Sequence, residues 1–345
     1  MPDQPHRTDV AIVGAGPVGL FAVFECGMLN MQCHVIDALD AAGGQCTALY
    51  PEKPIYDIPA HPAILAHELV DKLHAQAAPF DPVYHLGEQV EAMSETGRGR
   101  WLLVTSKGTR IDAAAVIIAA GVGAFGPNRP PLPHIQEYEG QPEGRGVHYL
   151  VKRREDFRGR RVVIAGGGDS AVDWALSLAD VAASVAVVHR RAKFRAAPDS
   201  VLKLGQLAGE GRIDLVVPFQ LHGLEGANGR LEAVVVSDLD GKRRTLPADA
   251  LLPFFGLAQN LGPIAEWGLE LHRHLIKVEP STCATARPGI FAIGDIVTYP
   301  GKLKLILTGF AEAAAAAHAA YALVHPGEAL HFEYSTTKGI PAHHG

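Results

Sequence analysis

The chain has 345 residues, 48% hydrophobic and 20% charged, an ordinary globular composition with length for two domains. Its formal net charge of −6 offers no field for nucleic acid or an anionic membrane, so any basic site must be local. The four cysteines, Cys26, Cys33, Cys46 and Cys283, include no Cys-x-x-Cys pair, which argues against a disulfide framework, a zinc ribbon or a local redox dithiol, and no metal site is expected.

The polar N-terminus enters a strand by Val10 and leaves no room for a signal peptide. Residues 10–13 form a short β-branched run suited to a buried parallel strand. Gly14, Gly16 and Gly19 follow, with Pro17 between them, at the spacing of a dinucleotide-binding turn. The first glycine permits the tight turn, the second lets backbone approach a pyrophosphate, and the third lets helix pack on strand. The helix that follows aims its N-terminal amides at that pyrophosphate. A second strand, H-V-I-D, ends at Asp37, where an acid accepts hydrogen bonds from an adenosine ribose. Next, Gly43 and Gly44 allow close backbone approach to a ligand, and Gln45 supplies an amide. Cys46 reads as a small apolar residue there. Tyr50 lies in a Pro-interrupted loop, where it serves either as a stacking ring or as an ordinary buried tyrosine.

Residues 63–77 read as an amphipathic helix, followed by strands near 83–86 and 101–105 with a turn at Arg98, Gly99 and Arg100. A buried strand then ends at Gly121, and Pro127, Pro130, Pro131 and Pro133 mark a domain crossover. The second unit opens with R-V-V-I-A, then Gly166, Gly168 and Ala171, the same turn in its G-x-G-x-x-A form, with Asp169 and Ser170 starting the helix. Its second strand, S-V-A-V-V, ends not in an acid but in His189, Arg190, Arg191 and Arg195. Asp37 accepts from a bare ribose and repels a phosphate, whereas the cations hold a 2′-phosphate, the alternative being a solvated basic turn. The first site therefore suits an unphosphorylated adenosine, as in FAD, and the second NADP(H).

Residues 213–246 read as meander strands, and A-L-L-P-F-F-G-L leaves the second domain. Asn260, Leu261, Gly262 and a helix return the chain to the first domain, where R-P-G-I-F-A-I-G-D-I ends at Gly294 and Asp295. An acid at that strand end accepts from a cofactor's polyol hydroxyls. A helix follows Thr308 and Gly309; its alanines in 311–320 read as close packing, and Glu312 and His318 argue against a membrane span. The fold class is α/β: two Rossmann-like three-layer dinucleotide-binding domains, the NADP domain (122–255) inserted in the FAD domain (1–121 and 256–345). The expected location is the cytoplasm, with no nucleic acid or membrane as partner.

Two fingerprints about 150 residues apart, G-G-G-D-S-A-V-D, H-R-R-A-K-F-R and the late G-I-F-A-I-G-D strand resemble thioredoxin reductase and related two-domain flavoproteins. The resemblance breaks where that family carries its redox Cys-x-x-Cys, because residues 146–150 hold no cysteine. G-G-Q-C-T-A-L-Y-P-E-K, F-G-L-A-Q-N-L-G-P-I-A-E-W-G-L, G-D-I-V-T-Y-P-G-K-L-K-L-I-L-T-G-F and the tail Y-S-T-T resemble instead the thioredoxin-reductase-like ferredoxin–NADP⁺ reductases. That resemblance implies FAD and NADPH as cofactors, a transient ferredoxin or flavodoxin partner, and a homodimer. It implies Tyr50 on one flavin face, Tyr334 on the other, Ser335 or Thr336 near N5, and Val90 and Phe125 among the FAD contacts. After F-R the family often continues with His-Glu, whereas this chain has Ala196, Ala197 and Pro198. Hydride transfer then requires the two domains to rotate, and Lys152, Arg153, Arg154, Arg158, Arg160 and Arg161 form the candidate basic patch for an acidic carrier. The rival readings are a quinone or disulfide reductase of the same fold and a catalytically idle flavin and NADP sensor.

Overall fold

A computed structural model of the chain describes residues 4–97, 99–139 and 146–330. The chain divides into two compact units, residues 1–125 with 259–345, and residues 126–258.

The discontinuous unit is built on a mixed sheet in the order Val83–Leu86, Cys33–Asp37, His6–Val13, Arg110–Ile118, Arg100–Thr105, Val90–Gly97. The first four strands run parallel, and Val13 lies opposite both Ile36 and Ile118. One edge of Arg110–Ile118 serves two partners: its first half pairs antiparallel with Arg100–Thr105, its second half parallel with Ile290–Ala292. The strand Val90–Gly97 was not anticipated; it forms the outer half of a hairpin whose exposed residues hide a β period.

Alternation along His6–Val13 divides the core into two layers. Val10 and Ile12 pack with Ala22, Cys26 and the alanines 313, 316, 317 and 320, whereas Ala11 and Val13 pack with Ile264, Trp267 and Ile296. Alanine at that helical spacing lets the helix Ile306–Val324 lie close against Pro17–Met28. This helix begins two residues before Thr308. It is long and apolar enough by length and composition to cross a membrane.

The inserted unit has a parallel sheet in the order Ile213–Val216, Ser184–Val188, Arg161–Ala165, Ala250–Pro253, beside a three-stranded antiparallel meander covering 220–247. Residues 213–216 thus belong to the parallel sheet rather than to the meander. Asp249 joins this sheet at its start: its carboxylate accepts from the Arg161 backbone N–H at 2.9 Å and pairs with the Arg161 guanidinium at 2.7 Å. The segment after Leu261 is a single 3₁₀ turn, Gly262–Glu266, not a full helix.

The α/β architecture expected from the sequence is the one observed.

Candidate functional site

The first glycine turn leaves the strand His6–Val13 with Gly14 at φ +113, its N–H donating to the Ile36 carbonyl at 2.8 Å. A Cβ there would lie 2.4 Å from the Ala119 carbonyl oxygen, and one on Gly19 would lie 2.0 Å from the Gly14 oxygen. Both glycines are thus demanded by the protein itself. Gly16 is different. Its φ of −69° suits any residue, and an added Cβ would meet nothing within 4 Å. Pro17 opens the helix Pro17–Met28, whose N-terminus has no side-chain cap. Free amides, helix dipole and an open cradle over Gly16 together fit a pyrophosphate.

Asp37 ends the second strand half-buried. Its Oδ2 accepts from the Ala15 N–H at 2.6 Å and its Oδ1 from the Leu39 N–H at 2.8 Å. Burial raises its pKa against the lowering effect of these two bonds. Each oxygen keeps a lone pair for a ribose hydroxyl.

Gly43, Gly44 and Gln45 are laced onto this turn. The Gly43 N–H donates to the Ala15 carbonyl at 2.8 Å, and a Cβ on Gly44 would come within 3.1 Å of the Gly16 Cα. Gln45 starts the short helix Gln45–Ala48, and its Nε2 would be 3.5 Å from a Cβ placed on Gly121. The Cys46 thiol lies 3.9 Å from the Tyr50 hydroxyl, and the Lys53 ammonium lies 5.8 Å from the Tyr50 ring centroid. Burial raises both acids, and the Asp295 carboxylate adds to the shift, putting Cys46 at about 11 and raising Tyr50 as well. The structure therefore gathers the glycine turn, Asp37, residues 43–50 and Asp295 around one place in the discontinuous unit.

In the second turn, a Cβ on Gly166 would crowd the Phe254 oxygen at 2.7 Å and the Ala171 Cβ at 2.9 Å, and one on Gly167 would fall 2.3 Å from the His189 ring. Gly168, like Gly16, has nothing within 4 Å of such a Cβ. Residues 190–195 fold back on this turn. The Arg195 N–H donates to the Gly167 carbonyl at 2.7 Å, and the Asp169 Oδ1 accepts from the Ala197 N–H at 2.9 Å. His189 packs on Phe194 with ring centroids 5.2 Å apart; burial, then the neighbouring arginines, lower its pKa, and its Nε2 is buried without a partner. Arg190, Arg191, Arg195 and Ser170 are exposed, and among the described residues no carboxylate pairs with the three arginines.

Other expected residues stand apart. The Val90 side chain is in the core, turned away from any ligand, and its backbone sits in the strand pair with Thr105. The Phe125 side chain and Tyr334, Ser335 and Thr336 lie outside the described residues. The basic patch is largely neutralised from within: Arg153 pairs with Asp156, Arg154 and Arg158 with Glu155, and Arg161 with Asp249. Sequence reasoning missed the buried Glu312 and Lys302 side chains and the half-buried Tyr299 behind Gly294. The one acid amid the alanines was its signal.

The profile of the pyridine nucleotide-disulphide oxidoreductase family matches residues 8–320. The ferredoxin–NADP reductase of Paramagnetospirillum magneticum is 66% identical over 336 residues, 97% of this chain and 98% of that protein. The ferredoxin–NADP reductase of Rhodospirillum rubrum is 64% identical over 340 residues, 98% of this chain and 97% of that protein. Among solved structures, thioredoxin reductase from Lactococcus lactis superposes with a TM-score of 0.78 at 25% identity, covering 92% of this chain and 99% of that one.

Proposed function

The chain belongs to the pyridine nucleotide-disulphide oxidoreductase family, and we propose that within it this protein is a ferredoxin–NADP reductase, moving electrons between NADP(H) and a ferredoxin or flavodoxin. The observation that carries the reading is 66% identity, over nearly the whole of both chains, to a protein of that name. FAD, when bound, supplies the chemistry: it takes a hydride from NADPH and releases the two electrons singly.

The chain's own residues bind and orient. Gly14, Gly16, Pro17 and Gly19 accommodate the FAD pyrophosphate, Asp37 its ribose and Asp295 its polyol chain. Gln45, beside the glycine turn, supplies an amide to the cofactor, and Val90 and Phe125 belong with it by resemblance. Tyr50 stacks on one face of the flavin ring. Tyr334, with Ser335 or Thr336 near N5, covers the other by resemblance alone. Gly166, Gly168, Asp169, Ser170 and Ala171 form the NADP turn, and His189, Arg190, Arg191 and Arg195 meet the 2′-phosphate, the role best supported by three exposed guanidiniums that no carboxylate among the described residues claims. The partner binds transiently, and the protein acts in the cytoplasm as a homodimer.

The thioredoxin-reductase-like fold leaves disulfide reduction as the second reading, but all four cysteines are buried. Anaerobic stopped-flow absorbance separates the two. Protein loaded with FAD and reduced by one equivalent of NADPH should be reoxidised rapidly by oxidised ferredoxin. Bleaching by NADPH followed by reoxidation only with a disulfide protein or a quinone would overturn the assignment, and so would a flavin that NADPH leaves coloured.

A further inference from the structure

The feature that this reading leaves unused is the carboxylate–ammonium pair beneath Asp295. Glu312 lies within the helix Ile306–Val324 with 4% of its side chain exposed, and Lys302, ahead of that helix, has 6%. The Glu312 Oε1 accepts from the Lys302 Nζ and from the Tyr299 hydroxyl at 2.6 Å, and its Oε2 accepts from the Gly294 N–H at 2.7 Å. Taking both charges out of water is expensive, and a well-packed apolar pair of the same volume would serve packing as well or better. An apolar pair cannot supply an acceptor for the Gly294 amide.

That amide sits where direction matters. Gly294 is at φ +80 and begins the 3₁₀ turn Gly294–Ile296, so its orientation sets that of Asp295, the next residue. The helix carrying Glu312 is itself registered against the fingerprint helix: a Cβ on Gly309, one turn before Glu312, would lie 2.4 Å from the Val18 Cγ2. Gly294 faces the same Val18, whose Cγ1 would be 3.6 Å from an added Cβ. One carboxylate thus ties the Asp295 turn to a helix fixed against the glycine turn, and Lys302 neutralises it so that no second net negative charge stands beside Asp295.

We propose that Glu312, with Lys302 as its counter-ion and Tyr299 as its further donor, is a positioning residue that sets the Gly294 and Asp295 turn and thereby the way the flavin is held. The inference rests on the flavoprotein reading above and adds to it a residue that does not itself touch the cofactor.

The test is the double variant Glu312→Met with Lys302→Met in the full chain, which removes both charges and the acceptor for the Gly294 N–H, keeps both side chains near their original size and leaves no buried charge unpaired. Three quantities are read: the thermal midpoint of the apoprotein, the FAD dissociation constant from quenching of flavin fluorescence, and the visible circular dichroism of the bound flavin. The expected result is a midpoint within about 5 °C of wild type, FAD binding weaker by about tenfold or more, and an altered dichroism band. Unchanged FAD affinity and unchanged dichroism overturn the proposal, whatever the midpoint does. Should the double variant not fold, Tyr299→Phe removes one donor without touching charge. A shifted dichroism band and weaker FAD binding are then expected, and wild-type values overturn the proposal. If wild-type apoprotein takes up no FAD, the flavoprotein reading falls and this inference with it; if wild type binds and the variants bind identically, only this inference falls.

Discussion

Gly16 and Gly168 are glycines that the folded protein does not need. Neither has a positive φ, and neither would bring a Cβ within 4 Å of another atom, whereas Gly14 and Gly19 would clash with backbone. Their missing side chains are therefore explained by something outside the protein, at the uncapped start of a helix of ten or more residues in each case. Gly16→Ala and Gly168→Ala should each change apoprotein stability by less than about 1 kcal/mol, since the gain from a stiffer unfolded chain opposes the poorer N-cap. Gly16→Ala should weaken FAD binding about tenfold or more and spare NADPH, and Gly168→Ala should do the reverse. Gly14→Ala, forced into a left-handed backbone against the Ala119 carbonyl, should instead lose about 3 kcal/mol or more of stability. Denaturant titrations of the apoproteins, with FAD and NADPH titrations beside them, check all three. Equal ligand losses for the two open glycines would show that they do not mark separate cofactor cradles.

At the scale of elements, the strand Cys33–Asp37 carries a device unrelated to the cofactors. The His34 Nδ1 lies 2.9 Å from the His85 Nε2 on the neighbouring strand, and the His6 ring centroid is 5.7 Å from each of theirs. Burial first, then the nearby imidazoles of His85 and His6, push His34 down to about 4. A histidine lowered in the folded state stabilises the fold above its ordinary value and loses that contribution as pH falls from about 6.5 toward 4. The ring is only part-buried, so screening leaves about 1–2 kcal/mol of the effect. Denaturant midpoints should therefore fall between pH 7 and pH 4.5, and His34→Gln should flatten that slope. A variant with the wild-type slope would place the titration elsewhere. No local pattern announces this cluster, because its members come from three strands and meet only through register. The strands at 10–13, 33–37 and 161–165 were legible because β-branched runs buried on both faces have no other use. Residues 213–216 read from sequence as part of the meander because a short apolar run does not say which edge it joins. Asp37 and the arginines after His189 were legible from the fingerprint offset, whereas Glu312 was hidden by its partners, 10 and 18 positions away.

Taken as a whole, the molecule separates carrier reduction from thiol chemistry. Its relatives in fold include thioredoxin reductases, yet Cys26, Cys33, Cys46 and Cys283 are all free and at most 5% exposed. The surroundings of three of them oppose ionisation as well as access: burial raises Cys46 to about 11 and Cys283 to about 12, and Cys26 with burial raises Cys33. Since the thiolate is the nucleophile, buried thiols held protonated are poor relays of electrons through a mixed disulfide. Electrons leaving from the bound cofactor itself fit the carrier reading proposed above. Treating the folded, FAD-loaded protein with iodoacetamide at pH 7 should therefore leave all four thiols unmodified by mass and leave NADPH-driven ferredoxin reduction unchanged. The same treatment in denaturant should add four carboxamidomethyl groups, which proves the reagent. Alkylation of one folded-state thiol, with ferredoxin reduction lost in proportion while NADPH still bleaches the flavin, would put a cysteine on the electron path and return the molecule to the disulfide reductases.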